Sequence, residues 1–240
     1  MPMSILSQYE AEYIRKRKWY DKVDLFICPS EFYRKKLVEG NFTSSPIVTM
    51  RNPLPLDTAF ECRSENEGYI LYFGRLSPEK GVKTLIEAAK LCGCHLVILG
   101  TGPQEEELKA IAEHCDNIEF KGFQTGEALR NYVKNSKCVV LPSEWYENGP
   151  YSAMEAMALG KPLIVSNMGG LPELVEDGVN GYIFNKTIDG LASCIEKIQA
   201  LEKEEYQSMA RASLEKAKTM FSAVGYVAEL ENWYQRMKGE

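Results

Sequence analysis

From Gly68 onward, strand-like and helix-like segments alternate strictly along the chain. Short apolar runs such as YILYFG, HLVILG and CVVLPS are separated by segments with helical spacing, such as VKTLIEAAKLC. This alternation predicts parallel βαβ units with helices on both faces of one sheet. Strands that are apolar throughout are expected where both faces of a sheet are covered. The sequence therefore predicts the α/β class, with a doubly wound parallel sheet.

The first 60 residues follow a different plan and contain only two αβ units. A charged helix-like segment, YEAEYIRKRKWYDKV, precedes the strand-like DLFICPS; EFYRKKLVEG and PIVTM repeat the order. Two units are too few to bury a core, and RNPLPLDTAFECRSENEG has the composition of a linker. We expect residues 1–60 to be a partial layer with a linker, 61–220 the main α/β domain, and 221–240 a helical carboxyl-terminal segment.

The charge balance and the cysteines limit the function classes. A net charge of -6 argues against a general nucleic-acid binder. No apolar run approaches the roughly 18 residues that a membrane span needs, and the first residues lack the layout of a secretion signal. The seven cysteines are scattered and the two histidines lack metal-ligand spacing. We therefore expect reduced thiols, no bound metal and a cytoplasmic location.

A basic run at the amino-terminal end has two interpretations. RKRK at residues 15–18, with Arg34, Lys35 and Lys36, would suit peripheral contact with an anionic membrane face. The alternative is the solvated face of an ordinary charged helix.

A pair of cations follows the first strand of the main domain. Arg75 comes after Gly74 at the strand end, and Lys80 comes just before the next helix. Free backbone N–H groups and the helix dipole favour anions at such a helix start. Together, an Arg fork and a Lys point charge could neutralise a diphosphate. The alternative is a solvated loop with ordinary surface charges, and neither a Walker motif nor G-x-G-x-x-G is present.

Two acids follow a later strand, in SEWYENGPYSAMEAMALG. Pro150 suits a first helical turn, so we expect the helix to begin near residues 149–151. Glu147 would then lie in the loop, and Glu155 on the second turn among apolar neighbours. An ionised carboxylate in apolar surroundings is costly unless it is paired, and a sugar diol could supply two hydroxyl donors. The alternatives are a buried Glu155 paired with a Lys or Arg, and a solvated Glu147.

These loops all follow strands, and open α/β sheets bind ligands at the carboxyl edge. A Gly-Gly pair at Gly169–Gly170, before another helix start, adds amide groups to the same edge. The sequence therefore predicts a ligand that carries both a diphosphate and hydroxyl-bearing sugars.

The motifs GRLSPEKG, the two glutamates with seven residues between them, EAMALGKPLIVS and GGLPELVEDGVNGYIF occur in that order. In this combination the chain resembles the group-one, family-four retaining glycosyltransferases of GT-B architecture, from Val23 to Met237. The resemblance implies that the predicted sheet is the Rossmann-like, donor-binding half of a GT-B fold. It also implies a nucleotide-sugar co-substrate, no other cofactor, and metal-independent transfer.

The resemblance assigns roles to the charged residues. Arg75 and Lys80 would hold the donor diphosphate and stabilise it as it departs, and Glu147 would position the transferred sugar; these three form the catalytic set. Glu155 would hold the ribose hydroxyls. Further donor contacts are implied at Gly74, Phe123, Gln124, Asn148, Gly149, Pro150, Tyr151 and Ser152.

Full-length members of that family have an amino-terminal Rossmann domain for the acceptor. Most of it is missing here, so residues 1–60 are expected to be its remnant, followed by the interdomain linker. The resemblance implies a saccharide or lipid-linked acceptor in polysaccharide or glycolipid assembly. Two alternatives are a nucleotide-sugar-binding module that needs a separate acceptor-domain chain, and a nucleotide-sugar epimerase.

Overall fold

The computed structural model describes residues 2–62 and 65–239, without the side chains of residues 2–5 and Arg15. The helices are α1 (Pro2–Lys16), α2 (Glu31–Glu39), α3 (Val82–Cys92), α4 (Glu105–Ile111), α5 (Gly126–Asn135), α6 (Tyr151–Ala158), α7 (Ile188–Gln199), α8 (Lys203–Met220) and α9 (Ala223–Lys238). The strands are β1 (Phe26–Cys28), β2 (Ile47–Thr49), β3 (Ile70–Phe73), β4 (Leu96–Leu99), β5 (Ile118–Phe120), β6 (Cys138–Leu141), β7 (Leu163–Ser166) and β8 (Gly181–Phe184). The chain divides into two compact units, one from residues up to 52 together with those from 224, and a larger one from 53–223.

The larger unit contains a six-stranded parallel sheet in the order β5-β4-β3-β6-β7-β8. The chain moves outward from β3 to β4 and β5, then returns to pair β6 with the other side of β3. The loops after β3 and β6 therefore leave neighbouring strands in opposite directions, which opens a crevice at the carboxyl edge. This topology confirms the doubly wound parallel sheet predicted from the sequence.

Helices cover both faces of this sheet. Strands β3, β4, β6 and β7 are buried at every position. Apolar side chains of α3 and α7 pack on one face, and those of α6 with the end of α8 pack on the other. Each fully buried Leu or Ile contributes about 1.5–3 kcal/mol relative to an exposed one. The central strands thus form a rigid base for the loops at the carboxyl edge.

Helix α3 has the bounds that the sequence predicts. Val82, Leu85, Ile86 and Ala89 recur at helical spacing and are fully buried. Glycines at both ends, Gly81 and Gly93, adopt left-handed dihedrals that L-residues avoid. The amphipathic stripe and the two glycines together define this helix.

Two predicted helices are shorter than expected. GLPELVEDG forms only one 3-10 turn, Leu171–Leu174, because the buried Asn180 side chain replaces the next helical bonds. Its Oδ1 accepts from the Glu176 amide at 2.7 Å, and its Nδ2 donates to the Leu174 carbonyl at 3.0 Å. The amino-terminal helix ends at Lys16 rather than continuing to Val23.

The smaller unit pairs β1 and β2 in parallel and contains α1, α2 and α9. The Ser30 hydroxyl caps α2 by accepting from the Tyr33 amide at 3.2 Å. Side chains of the β1 region and of α9 line a cavity of about 210 Å³. Within the described residues, no helix combines the length and apolarity that crossing a bilayer requires.

Candidate functional site at the carboxyl edge of the sheet

Lys80 and Glu147 form an ion pair at the crevice between β3 and β6. Lys80 ends the 3-10 turn that follows β3, and Glu147 lies in the loop that follows β6. The Lys80 Nζ lies 2.5 Å from Oε1 of Glu147. Their side chains are 29% and 17% exposed, so both are partly shielded yet still accessible to a ligand. The pair joins one cation and one acid of the sequence-predicted site.

The two loops meet because a glycine lets their backbones approach closely. Gly81 has φ 66°, and a Cβ at this position would lie 2.0 Å from the Pro142 carbonyl oxygen. The Glu144 amide donates to the Glu79 carbonyl at 2.9 Å, and the Thr84 hydroxyl donates to Glu144 Oε1 at 2.9 Å. Main-chain and side-chain bonds therefore hold the cation loop against the acid loop.

The Glu147 main chain is held from a third loop, the one after β7. Gly170 donates its amide to the Glu147 carbonyl at 2.6 Å. A Cβ on Gly169, which has φ 59°, would lie 2.6 Å from the Glu147 nitrogen. The Gly-Gly pair that the sequence analysis assigned to amide donation thus supports the acid loop, with the Gly170 amide already paired to it.

Glu147 also receives a side-chain hydrogen bond from within its own loop. The buried Ser143 hydroxyl donates to Oε1 at 2.9 Å, the same oxygen that Lys80 contacts. Ser143 and Thr84 were not singled out from the sequence. Ser143 directly follows Pro142 at a strand end, which is the position that could have indicated it.

Arg75 lies exposed at the end of β3 with its backbone fixed. Its carbonyl accepts from the Tyr72 hydroxyl at 2.8 Å, and burial is the main reason that the pKa of Tyr72 is raised. The Arg75 charge contributes to lowering the pKa of Glu79, after the larger effect of the hydrogen bond from Ser77. In the part of the chain that the structure describes, the Arg75 guanidinium forms no ion pair, so it is available to an anion.

Arg75 lines a cavity of about 450 Å³ with three other sequence-predicted site residues, Gly74, Phe123 and Gln124. The same cavity is lined by residues that were missed, Thr101, Gly102 and Pro103. The missed residues follow β4 in the run GTGP, and glycines at a strand end were the signal that could have found them. A Cβ on Gly100 would lie 1.9 Å from the Gly74 carbonyl oxygen, so the two loops lie in direct contact.

Glu155 differs from its predicted environment. Ala153, Met154, Ala156 and Met157 are fully buried, whereas Glu155 lies on the exposed side of α6. Its helical position turns it away from the core, and it lines a second cavity of about 410 Å³. Partial burial in that cavity still raises the pKa of its carboxyl. Among the described residues no Lys or Arg pairs with Glu155, so the ion-pair alternative is not what the structure contains.

The remaining predicted contacts lie between Glu147 and the start of α6. The first intrahelical bonds come from the Ala153 and Met154 amides, both to the Pro150 carbonyl. The amides of Tyr151 and Ser152 therefore precede the helical bonding pattern, as the first N–H groups of a helix do. Asn148 and Gly149 complete the loop before Pro150. These groups lie where a helix start favours an anion.

The structure thus brings the predicted residues together in three sets. Lys80 contacts Glu147, Arg75 shares a cavity with Phe123 and Gln124, and Glu155 lines a neighbouring cavity. Leu129 lines both cavities, which makes them adjacent. An extended ligand that binds all the predicted residues remains a prediction. Among the described residues, no three His, Cys, Asp or Glu side chains are grouped as metal ligands would be.

The strand order and the charged loops at the crevice place this chain among the Rossmann-type α/β proteins. Its sequence identifies it further, since residues 58–217 match the family described as glycosyl transferases, group 1. The chain belongs to that family, as the sequence motifs predicted.

Two relatives illustrate the similarity. The amylovoran biosynthesis glycosyltransferase AmsK of Erwinia amylovora is 35% identical over 180 residues, which cover 70% of this chain and 42% of the relative. The lipopolysaccharide 1,2-N-acetylglucosaminetransferase of Salmonella typhimurium is 28% identical over 193 residues, covering 72% and 50%. The chain therefore spans half or less of the length of these two relatives.

Solved structures of glycosyltransferases share the fold. HepE of Anabaena, in complex with UDP and glucose, superposes with a TM-score of 0.81 at 20% identity, over 95% of this chain and 67% of HepE. TarM of S. aureus superposes with a TM-score of 0.78 at 22% identity, over 94% of this chain and 46% of TarM. These neighbours confirm the predicted GT-B-related α/β fold.

Proposed function

We propose that the larger unit binds a nucleotide-sugar and supports transfer of the sugar to an acceptor, with retention of configuration and without a metal ion. The observation that carries the proposal is the Lys80–Glu147 ion pair at the crevice of the sheet, beside the exposed Arg75. An ion pair that joins a phosphate-binding cation to a hydroxyl-binding acid suits a ligand in which a diphosphate adjoins a sugar.

The donor fits the site in four parts. Arg75 and Lys80 would bind the diphosphate, with the amides of Tyr151 and Ser152 at the helix start. Glu147 would accept hydroxyls of the transferred sugar. The base would lie in the cavity near Phe123 and Gln124, and the ribose would reach Glu155 in the adjacent cavity. HepE, which shares this fold, binds UDP together with glucose, and this supports a nucleoside diphosphate as the leaving group.

Transfer breaks the bond between the anomeric carbon and a diphosphate oxygen. Negative charge then develops on the diphosphate, where Arg75 and Lys80 would stabilise it. The acceptor hydroxyl would attack from the face that the diphosphate leaves, and its proton would pass to the departing phosphate oxygen. In this scheme Glu147 holds the sugar and forms no covalent bond, and the two side-chain cations supply the neutralisation that a metal ion could provide.

The acceptor is proposed to be a saccharide or a lipid-linked saccharide. AmsK is named for amylovoran biosynthesis, and the Salmonella relative is a lipopolysaccharide transferase. Both names support a role in polysaccharide or glycolipid assembly on the cytoplasmic side of a membrane.

The donor assignment is tested by calorimetric titration of the purified chain with UDP-, GDP- and ADP-glucose. We expect one nucleotide to bind in the micromolar range, with the same affinity after treatment with EDTA. Where transfer occurs, NMR of the product should show the anomeric configuration of the donor. Loss of binding in EDTA, or an inverted product, would overturn the metal-independent or the retaining assignment respectively.

A second candidate function is donor binding without transfer by these 240 residues alone. It is favoured by the chain's coverage of only 42% and 50% of the two relatives. On this view the smaller unit is the remnant of an acceptor domain and needs further polypeptide or a partner chain. Sugar transfer by the purified chain at about 1 s⁻¹ or faster, an ordinary enzyme rate, would exclude it.

Peripheral membrane contact through the basic residues of the smaller unit is a further proposal. Arg34 pairs with Glu31 at 2.6 Å and Lys36 with Glu39 at 3.0 Å, so the α2 cations are largely neutralised. Only the run near Lys18 retains the chemistry for an anionic surface. Co-sedimentation with phosphatidylglycerol vesicles, but not with phosphatidylcholine vesicles, would support it; equal sedimentation with both would exclude it.

A further inference from the structure

Ser143 places one of the two Glu147 oxygens in a fixed position. Its hydroxyl donates to Glu147 Oε1 at 2.9 Å, and Lys80 Nζ reaches the same atom at 2.5 Å. An ionised carboxylate has two acceptor oxygens and no donor. Among the described residues, no hydrogen bond reaches Oε2 of Glu147. Oε2 is therefore the oxygen available to a ligand hydroxyl.

Ser143 can hold the carboxylate because it is itself held. It is 3% exposed at the end of β6, so its hydroxyl has little access to water. Its carbonyl accepts from the hydroxyl of Ser166 at 2.6 Å, and Ser166 is fully buried at the end of β7. The hydroxyl that contacts Glu147 therefore belongs to a residue anchored to the rigid centre of the sheet.

Lys80 alone would not fix the carboxylate in this way. An ammonium is a point charge on a flexible chain, and it can approach either oxygen of a carboxylate. In the proposed complex, Lys80 also contacts the diphosphate, which changes its contact with Glu147. The Ser143 hydroxyl belongs to a fixed side chain and can keep its bond to Oε1 while Lys80 adjusts.

We infer that Ser143 is a positioning residue that orients the Glu147 carboxylate so that Oε2 faces the hydroxyls of the transferred sugar. This inference rests on the proposed function. It adds a consequence for specificity: Ser143 should favour binding of the nucleotide-sugar over the nucleoside diphosphate product, because only the former presents hydroxyls to Glu147.

The test compares two affinities in one variant. Ser143→Ala is titrated calorimetrically with UDP-glucose and with UDP, or with the corresponding pair for the base that the wild-type chain prefers. We expect the nucleotide-sugar to bind about tenfold more weakly, as for loss of a hydrogen bond to a charged group, with UDP affinity changed by less than about twofold. Ser136→Ala is the matched control, since that hydroxyl is equally buried and bonds only to the Val133 carbonyl at 2.8 Å.

A double-mutant cycle separates positioning from a structural effect. Once Glu147→Ala has removed the carboxylate, Ser143→Ala should change the affinity for UDP-glucose by less than about twofold. An equal loss of affinity for UDP and UDP-glucose, or an undiminished effect in the Glu147→Ala background, would overturn the inference. If Ser143→Ala does not fold, Ser143→Cys keeps the size with a weaker donor, and an unchanged affinity ratio in that variant would overturn it too. Failure of the wild-type chain to bind any nucleotide-sugar would overturn the proposed function, whereas normal wild-type binding with an unaffected variant overturns only the role of Ser143.

Discussion

Glu155 combines a position on the exposed side of its helix with a pKa that burial raises. A carboxyl whose pKa is higher in the folded chain binds more protons when folded than when unfolded. Its contribution to the free energy of unfolding therefore falls as the pH rises above the ordinary value of 4.5. We interpret this destabilisation as a consequence of keeping an unpaired acid where a ribose can reach it.

Glu155→Gln should separate stability from binding. We expect the variant to melt at a higher temperature than the wild type at pH 7 and at a similar temperature at pH 4 or below, because the amide does not ionise. Nucleotide affinity should fall about tenfold, since the ribose hydroxyls lose a charged acceptor. Calorimetry measures both quantities, and Glu113→Gln reports the effect of the same charge change outside the cavity. A lower melting temperature at pH 7 would contradict the assignment.

Arg75→Ala should reduce transition-state stabilisation more than structure. Within a transfer-competent form of the enzyme, we expect kcat/KM to fall by about 2 kcal/mol or more, which is the usual scale for losing one group that stabilises developing charge. The melting temperature should change little, because the guanidinium is exposed. Arg211→Ala, at another exposed arginine on α8, is the matched control. Unchanged turnover in Arg75→Ala would remove Arg75 from the catalytic set.

At the scale of elements, glycines determine how closely the loops at the carboxyl edge approach each other. Gly81 and Gly93 flank α3 with nearly identical left-handed dihedrals, φ 66° and 65°. They differ in their surroundings: a Cβ on Gly81 would meet the Pro142 carbonyl, whereas nothing lies within 4 Å of a Cβ on Gly93. The two positions therefore separate backbone strain from loop contact.

Substitution of each glycine by alanine should show this difference. Gly93→Ala is expected to cost about 1–2 kcal/mol, the strain of a left-handed residue. Gly81→Ala should cost clearly more and should also weaken donor binding, because the Lys80 and Glu147 loops must move apart. Urea denaturation measures the first effect and calorimetry the second. Equal destabilisation by the two variants, with equal donor affinity, would show that the loop contact is unimportant.

The elements of the larger unit were predictable where periodicity and end signals agreed. The bounds of α3 followed from its apolar stripe and its two glycines, and α6 begins one residue after Pro150, as expected. The helix predicted in GLPELVEDG was wrong because its pattern does not reveal that a buried Asn180, further along the chain, bonds the loop. Such a tertiary override has no local signal.

The candidate site was predictable as a location rather than as a geometry. Strand ends placed Arg75, Lys80 and Glu147 at one edge of a parallel sheet. The sequence could not predict that Lys80 and Ser143 bond the same oxygen of Glu147, since Lys80 and Glu147 are 67 residues apart. Nor could it predict that Glu155 would be exposed, because a helix with apolar residues on most sides gives a weak signal for the face that lies outward.

At the scale of the whole molecule, the two units differ in how complete their cores are. The larger unit buries a six-stranded sheet between two helical layers and contains every residue proposed to bind the donor. The smaller unit has only the β1–β2 pair with three helices, and exposes Leu6, Tyr9 and Tyr13 along α1. The account therefore assigns donor binding to the larger unit alone and leaves acceptor binding outside it.

The central claim is that loops from both sides of the crevice between β3 and β6 bind one activated sugar. A crystal structure with the preferred nucleotide-sugar, or with its nucleoside diphosphate and free sugar, tests it most directly. We predict a diphosphate in contact with Arg75 and Lys80, a sugar hydroxyl on Glu147 Oε2, and ribose hydroxyls on Glu155. A donor bound elsewhere, for instance in the cavity beside His95 and Glu119, with the crevice vacant, would contradict the claim.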